Sequence, residues 1–369
     1  MKFTSKPLAA IALLTVAGAA SAEDTFKVYG LLDINLSNYS AGDQSNGTGA
    51  SGNKLVLQDG VTNGLNGSRW GIKAQKDLNG GLVGGAQLEG GVNTDTGASG
   101  QGGLAFGRQI FVSLSKDGAG ELRVGRQYVL SDSVIGMGNP FGNALVNNPT
   151  TGVTDVTKKL PYFLNPSRAD NVLQYQSPSF SGLTAAVQVA PNENSATADD
   201  FYGLRAVYAN GPLNIGGSYE WNKDRATTSS TNKVFSFSAN YNFGNFKLLG
   251  GLQNVTDFTT TSGNGTAAGY ANDVNGPSGL SFKFTKLSGY TLGAEVPMGT
   301  ADVVGVNYTL MTYESATGVT ANLGKIAGSV RHDLGKDTYL YAGISTAVGD
   351  LKEHISEKTV VQLGFRTAF

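Results

Sequence analysis

Apolar and polar residues alternate with a period of two along most of the chain, and a helical period is almost absent. In the segment opening near residue 26, Phe26, Val28, Gly30, Leu32, Ile34 and Leu36 share one parity. Lys27, Asp33 and Asn35 share the other, with Tyr29 and Leu31. Further on, Trp70, Ile72 and Ala74 oppose Arg69, Lys73 and Gln75. Phe246, Leu248 and Gly250 oppose Lys247 and Leu249, and Val361, Leu363 and Phe365 oppose Gln362 and Arg366. Successive side chains of a strand point to opposite faces, so each segment predicts a strand with one apolar and one polar side. Sixteen such segments begin near residues 26, 68, 81, 104, 121, 171, 183, 201, 213, 232, 246, 281, 301, 322, 338 and 359. A soluble sandwich would alternate too, but an even count of this size is what a bacterial membrane barrel requires.

The connections alternate as well. Short ones rich in Gly, Asp and Asn lie at Asp77-Leu78-Asn79-Gly80, Lys116-Asp117-Gly118-Ala119-Gly120, Ala209-Asn210-Gly211-Pro212, Asn242-Phe243-Gly244-Asn245 and Asp333-Leu334-Gly335-Lys336-Asp337. Long polar ones lie at about 39–67, 94–103, 192–200, 222–231, 259–280 and 315–321, and the longest runs from Ser131 to Arg168. Short turns on one rim and long loops on the other are the periplasmic and extracellular ends of such a barrel. The expected fold is therefore all-β, a transmembrane antiparallel β-barrel of about sixteen strands. One barrel accounts for residues 23–369. Its apolar face turns to lipid, and its Lys, Arg, Glu and Gln line a water-filled lumen instead of a packed core. Tyr29, Tyr128, Tyr219, Tyr308 and Tyr339, near strand ends, suit interfacial girdles.

The N-terminus sets the compartment. Lys2 and Lys6, an apolar stretch from Leu8 to Ala20, and Ala20-Ser21-Ala22 make a cleavable signal peptide over residues 1–22. After it, no apolar run approaches the about 18 residues of a membrane helix, so a membrane would be crossed by strands. The destination is then the bacterial outer membrane. There is no cysteine, so disulfides contribute nothing, and a closed hydrogen-bond ladder must supply the stability. The formal charge of −1 falls to about −3 without the signal peptide, which speaks against nucleic acid as a partner.

Four stretches resemble the general porins of Gram-negative outer membranes, particularly the beta-proteobacterial type. They are Ser68-Arg69-Trp70-Gly71-Ile72-Lys73 with Asp77-Leu78-Asn79-Gly80-Gly81-Leu82; Arg108-Gln109-Ile110-Phe111-Val112-Ser113-Leu114; Leu122-Arg123-Val124-Gly125-Arg126-Gln127-Tyr128; and Arg168 to Tyr175 leading to Ser177-Pro178-Ser179-Phe180-Ser181-Gly182. The terminal Phe369 is similar to the signal read by the barrel-assembly machinery. The resemblance implies a homotrimer, passive diffusion of small hydrophilic solutes and ions, and a third extracellular loop folded into the lumen as a constriction. It places Arg69, Arg108 and Arg168 in a pore-lining basic cluster. In the loop, Asn139-Pro140-Phe141-Gly142 stands where the family often has Pro-Glu-Phe-Gly, so a proline replaces the loop carboxylate. Asp132 and Asp155 are the carboxylates left in that stretch, with Lys158 and Lys159 nearby.

Arginine keeps its charge at any relevant pH and holds a fixed fork, which suits a constriction. Few loop acids against three arginines point to mild anion selectivity. Lys73, Arg123, Arg205, Lys247 and Arg331 read as lumen wall, as does Arg366. Arg108 shares parity with Ile110, Val112 and Leu114, which would aim it at lipid at a cost of about 2–4 kcal/mol. It is therefore expected at a strand end, beyond a break at Gly107, or at a subunit interface. Arg126 has the same conflict and is expected at a subunit contact. A solute-specific channel and a non-transporting adhesin or structural barrel are the alternatives on the same fold. An enzyme is not expected: His332 beside Asp333 and His354 after Lys352-Glu353 stand in no hydrolase setting. Two histidines without cysteine offer no zinc spacing, and no cofactor is called for.

Overall fold

The computed structural model describes residues 24–41, 54–61, 64–149, 160–193, 199–223, 229–260, 270, 272–275, 281–352, 355 and 357–369. The expected signal peptide of residues 1–22, with Asp155, Lys158, Lys159 and His354, lies outside the described residues. The strands are β1 (Thr25–Ala41), β2 (Lys54–Asp59), β3 (Arg69–Asp77), β4 (Leu82–Gly91), β5 (Gln109–Lys116), β6 (Gly120–Tyr128), β7 (Arg168–Gln176), β8 (Leu183–Ala190) and β9 (Asp200–Asn210). They continue with β10 (Leu213–Lys223), β11 (Ser230–Asn242), β12 (Lys247–Thr256), β13 (Asp273–Asn275), β14 (Ser281–Met298), β15 (Asp302–Ser315), β16 (Thr320–Gly335), β17 (Thr338–Val348) and β18 (Glu357–Ala368).

These segments fill sixteen positions of a closed antiparallel barrel. β2 and β3 occupy one position, since β2 opposes Ile34–Tyr39 of β1 and β3 opposes Thr25–Leu31. β12 and β13 likewise share a position beside β14. β1 pairs with β18 to close the ring, and Gly30 and Phe369 exchange backbone hydrogen bonds of 3.0 Å at the seam. Closure removes the sheet edges that an open sheet would leave, though among the described residues β2 pairs only with β1 and β13 only with β14. The stretch expected as a single loop over 39–67 instead carries the end of β1 and all of β2.

Burial is inverted relative to a water-soluble protein. On β18, Leu363 is 60% exposed while Gln362 is 2% exposed; on β1, Leu32 and Leu36 are exposed and Asp33, Asn35 and Ser37 are buried. An apolar outer face with a polar inner one is the pattern of a barrel whose solvent is lipid. Among the tyrosines, Tyr219 and Tyr308 lie on the outward parity. Tyr29, Tyr128 and Tyr339 do not serve as girdle residues: each turns inward, against Glu89, Arg168 and Arg331 respectively.

Residues 129–149 and 160–167, between β6 and β7, lie inside the barrel. They open with a helix, Leu130–Met137, whose start is fixed by Glu220 of β10 accepting the Ser131 N–H at 2.6 Å and the Ser131 hydroxyl at 2.7 Å. From there the backbone is carried by inward side chains of the wall. Glu295 accepts the Phe141 N–H at 2.7 Å, Asn307 donates to the Asn147 carbonyl at 2.9 Å, and Gln253 both accepts from Leu164 N–H at 2.6 Å and donates to its carbonyl at 3.0 Å. Irregular backbone within a wall must find such partners, and amides that both donate and accept supply them. Leu160, Tyr162, Phe163 and Leu164 also pack on Val255, Phe284, Met311, Tyr313 and Leu323. The lumen is thus partly filled by an apolar core, contrary to the expectation of a lumen without one. The period-two pattern does not reveal this because the inward Met311, Tyr313 and Leu323 find their apolar partners on a distant loop.

Candidate constriction site

β3 carries Arg69 at its start, on the parity opposite Trp70, as expected. β5 begins only at Gln109, not near residue 104, so Arg108 precedes the strand and is not bound by its parity. Its N–H donates to the Glu89 carbonyl at 3.2 Å, and its side chain is 4% exposed and turned inward. Arg168 opens β7 directly after Ser167, a residue at φ 65°.

The three arginines meet. Arg108 Nε donates to Glu89 Oε1 at 2.8 Å, and Arg69 Nη1 lies 3.9 Å from the same oxygen. Arg108 Nη2 and Arg168 Nη2 each donate to the Tyr128 hydroxyl at 2.6 Å, and the Arg168 guanidinium lies 4.3 Å from the Tyr128 ring centroid. Asp132, on the loop helix, accepts from Asn165 at 2.8 Å and Asn143 at 3.3 Å. Burial pushes its carboxyl above the usual carboxylate range, opposed by the Asn165 hydrogen bond and by the charge of Arg168. All four lumen groups line one cavity of about 390 Å³, together with Tyr128 and the loop tip at Phe141. Three guanidiniums against Glu89 and Asp132 leave one uncompensated positive charge.

Glu89 and Tyr128 were not among the sequence candidates. The alternation of Gln87 and Glu89 around Leu88 carries the signal for Glu89, whereas nothing local marks Tyr128 as inward. Two notches also escape sequence reading. A Cβ at Gly305 would stand 2.4 Å from Phe141 Cε2 and 2.8 Å from Pro140 Cβ, and one at Gly293 would stand 3.0 Å from Pro140 Cδ. The proline that replaces the loop carboxylate is therefore packed into the wall.

The wall cations are spread around the lumen. Lys73 lies over the Tyr29 ring at 5.1 Å, and Arg123 over Phe111 at 5.1 Å with an ion pair to Glu121 at 2.7 Å. Arg205 donates to Ser133 at 2.9 Å and Gln176 at 3.0 Å, and Lys247 pairs with Glu295 at 3.4 Å. Arg331 is sandwiched between Tyr339 at 4.9 Å and Phe141 at 5.7 Å. Stacking on aromatic faces holds these long side chains near the wall. Arg126 donates to the Gly107 carbonyl at 2.7 Å and pairs with Asp170 at 2.5 Å. His332 pairs with Asp302 at 2.8 Å, not with its neighbour Asp333.

A closed sixteen-position barrel with a polar lumen and an infolded loop defines a class, the outer-membrane channels. Residues 9–350 match the sequence profile of the Gram-negative porins, and the chain belongs to that family. It is 30% identical to an outer membrane porin protein of Bordetella pertussis, over 98% of this chain and 99% of that one. It is 29% identical to outer membrane porin protein 32 of Delftia acidovorans, over 92% and 88%. In structure it is similar to an anion-selective porin from Comamonas acidovorans, with a TM-score of 0.72, 24% identity, and 94% and 100% coverage. The relatives are channels, not enzymes, and the chain is an outer-membrane diffusion channel.

Proposed function

We propose that the channel passes small hydrophilic solutes with a mild preference for anions, set where Arg69, Arg108 and Arg168 face the infolded loop. The observation that carries this is the single positive charge left over when three guanidiniums share one cavity with Asp132 while Glu89, outside its lining, sits 2.8 Å from Arg108 and 3.9 Å from Arg69. In a narrow passage with low-dielectric walls such a charge outweighs the net negative charge of the whole chain, because salt limits reach to about 10 Å. The name of the Comamonas acidovorans protein, anion-selective porin, supports the same direction. Asp155, with its neighbouring lysines, belongs to the same loop and would adjust the balance.

The working form is a homotrimer in this reading, supported by a Vibrio cholerae outer-membrane protein of similar fold described in trimer form. The Arg126–Asp170 pair is assigned to the subunit contact. Export uses the signal peptide of residues 1–22, and assembly uses the strand ending at Phe369, read by the barrel-assembly machinery. A planar-bilayer reversal potential under a KCl gradient tests the selectivity. Steps in groups of three with an anion-favouring potential support it, and a cation-favouring potential overturns it.

A further inference from the structure

A second chamber lies on the short-turn side of the loop tip. Its volume is about 410 Å³, and residues of the turns after β9 and β11 rim it. Phe141 lines both this chamber and the arginine cavity. Two cations reach the chamber, Lys247 and Arg331, with one carboxylate, Glu295. Glu295 is already engaged, 3.4 Å from Lys247 Nζ and 2.7 Å from the Phe141 N–H. Arg331 is different. Among the described residues it has no carboxylate within ion-pair distance, and its Nε is buried without a hydrogen-bond partner. Its guanidinium is held between two rings and is short of an acceptor.

We propose that this chamber binds small organic monocarboxylates, with the carboxylate on the Arg331 fork. A planar fork with open donors matches a carboxylate better than a spherical halide. Phe141, Pro297 and Val303 offer an apolar wall for the body of the acid. With Lys247 offset by Glu295, a single positive charge remains, which suits a monoanion better than a dianion. The inference rests on the anion-favouring reading and extends it to a second station that shares Phe141 with the first.

The test is single-channel recording in KCl with benzoate added to one side at a time. In the wild-type channel, benzoate from the turn side interrupts the current more strongly than from the loop side. Arg331→Gln shortens the residence time of the block by about tenfold, the effect of losing a charged hydrogen-bond pair. Arg331→Lys keeps the charge but not the planar fork, and still shortens the block. Phthalate, a dianion of similar body, blocks less than benzoate. Block that is unaffected by Arg331→Gln but lost in Arg108→Gln would place the acid at the arginine cavity and overturn the proposal. Absence of block from either side would also overturn it. Channel steps and the KCl reversal potential, read in the same bilayers, judge the porin reading independently.

Discussion

The two sides of the lumen are built on opposite principles. On the side of β3, β4 and β7, charged groups meet one another: Arg108 on Glu89, and Arg108 and Arg168 on one tyrosine hydroxyl. On the side of β10 to β16, the wall spends its polar groups on the loop: the carboxylates of Glu220 and Glu295 accept its N–H groups, and amides, hydroxyls and glycines hold it through Gln253, Asn307, Thr291, Gly293 and Gly305. The first wall keeps its charges toward the cavity; the second spends its polar atoms on the loop backbone. On the proposed reading, ion preference rests mainly on the first wall and the position of the loop on the second. Substitutions on the first wall should move ion preference, and those on the second should move conductance and its noise.

The largest expected effect comes from Arg108→Ala. Glu89 would stay buried with the Tyr29 hydroxyl at 2.9 Å and, as its one remaining cation among the described residues, Arg69 at 3.9 Å. Breaking a buried pair by removing one partner costs about 3–5 kcal/mol. Denaturant melting of the purified protein reads that loss, and the reversal potential should move toward zero. Arg108→Lys should restore most of the ion preference without the fork to Glu89 and Tyr128. A melting curve unchanged by Arg108→Ala would show that the pair is not structural.

Gln253→Leu tests the other wall. It orphans both the N–H and the carbonyl of Leu164, at about 1–3 kcal/mol for each buried group. The loop end should loosen, seen as open-channel current noise, with reversal potential unchanged. Gly305→Val sharpens the comparison further. It overpacks the notch that holds Pro140 and Phe141, costing about 1–3 kcal/mol and pushing the tip into the passage. Single-channel conductance should fall, and the ion preference should hold. A shift in preference without a fall in conductance would mean that the two walls are not separable in this way.

The unequal legibility of the two walls has the same origin. Strands with one lipid-facing side print a period of two, so the barrel, its turns and the inward parity of Arg69 and Lys73 could be read directly. Arg108 resisted because parity holds only inside a strand, and it stands one residue before β5. Tyr128 resisted because a tyrosine near a strand end suits a girdle and a lumen equally well. The loop-holding wall was unreadable for a deeper reason. Gln253, Gly293 and Gly305 are ordinary strand residues until residues distant in sequence, Pro140, Phe141 and Leu164, are laid against them.

The smallest expected effect joins the two sides, since Asp132 sits on the loop yet faces the arginines. Its carboxyl is held above the ordinary value of about 4, mainly by burial, so it takes up a proton earlier as the pH falls. The sign follows directly. Protonation removes one of two carboxylates facing three guanidiniums, so anion preference should rise as the pH falls through that raised range. The same raised value means that this group favours the folded loop most at low pH, a contribution lost as the pH rises through the folded-state value. Reversal potentials from about pH 7 to about pH 4 should drift toward anions. In Asp132→Asn the channel should show the more anion-favouring value at the upper end and a flatter profile. A profile as steep in Asp132→Asn as in the wild type would assign the titration to another carboxylate and remove Asp132 from the balance of charges at the constriction.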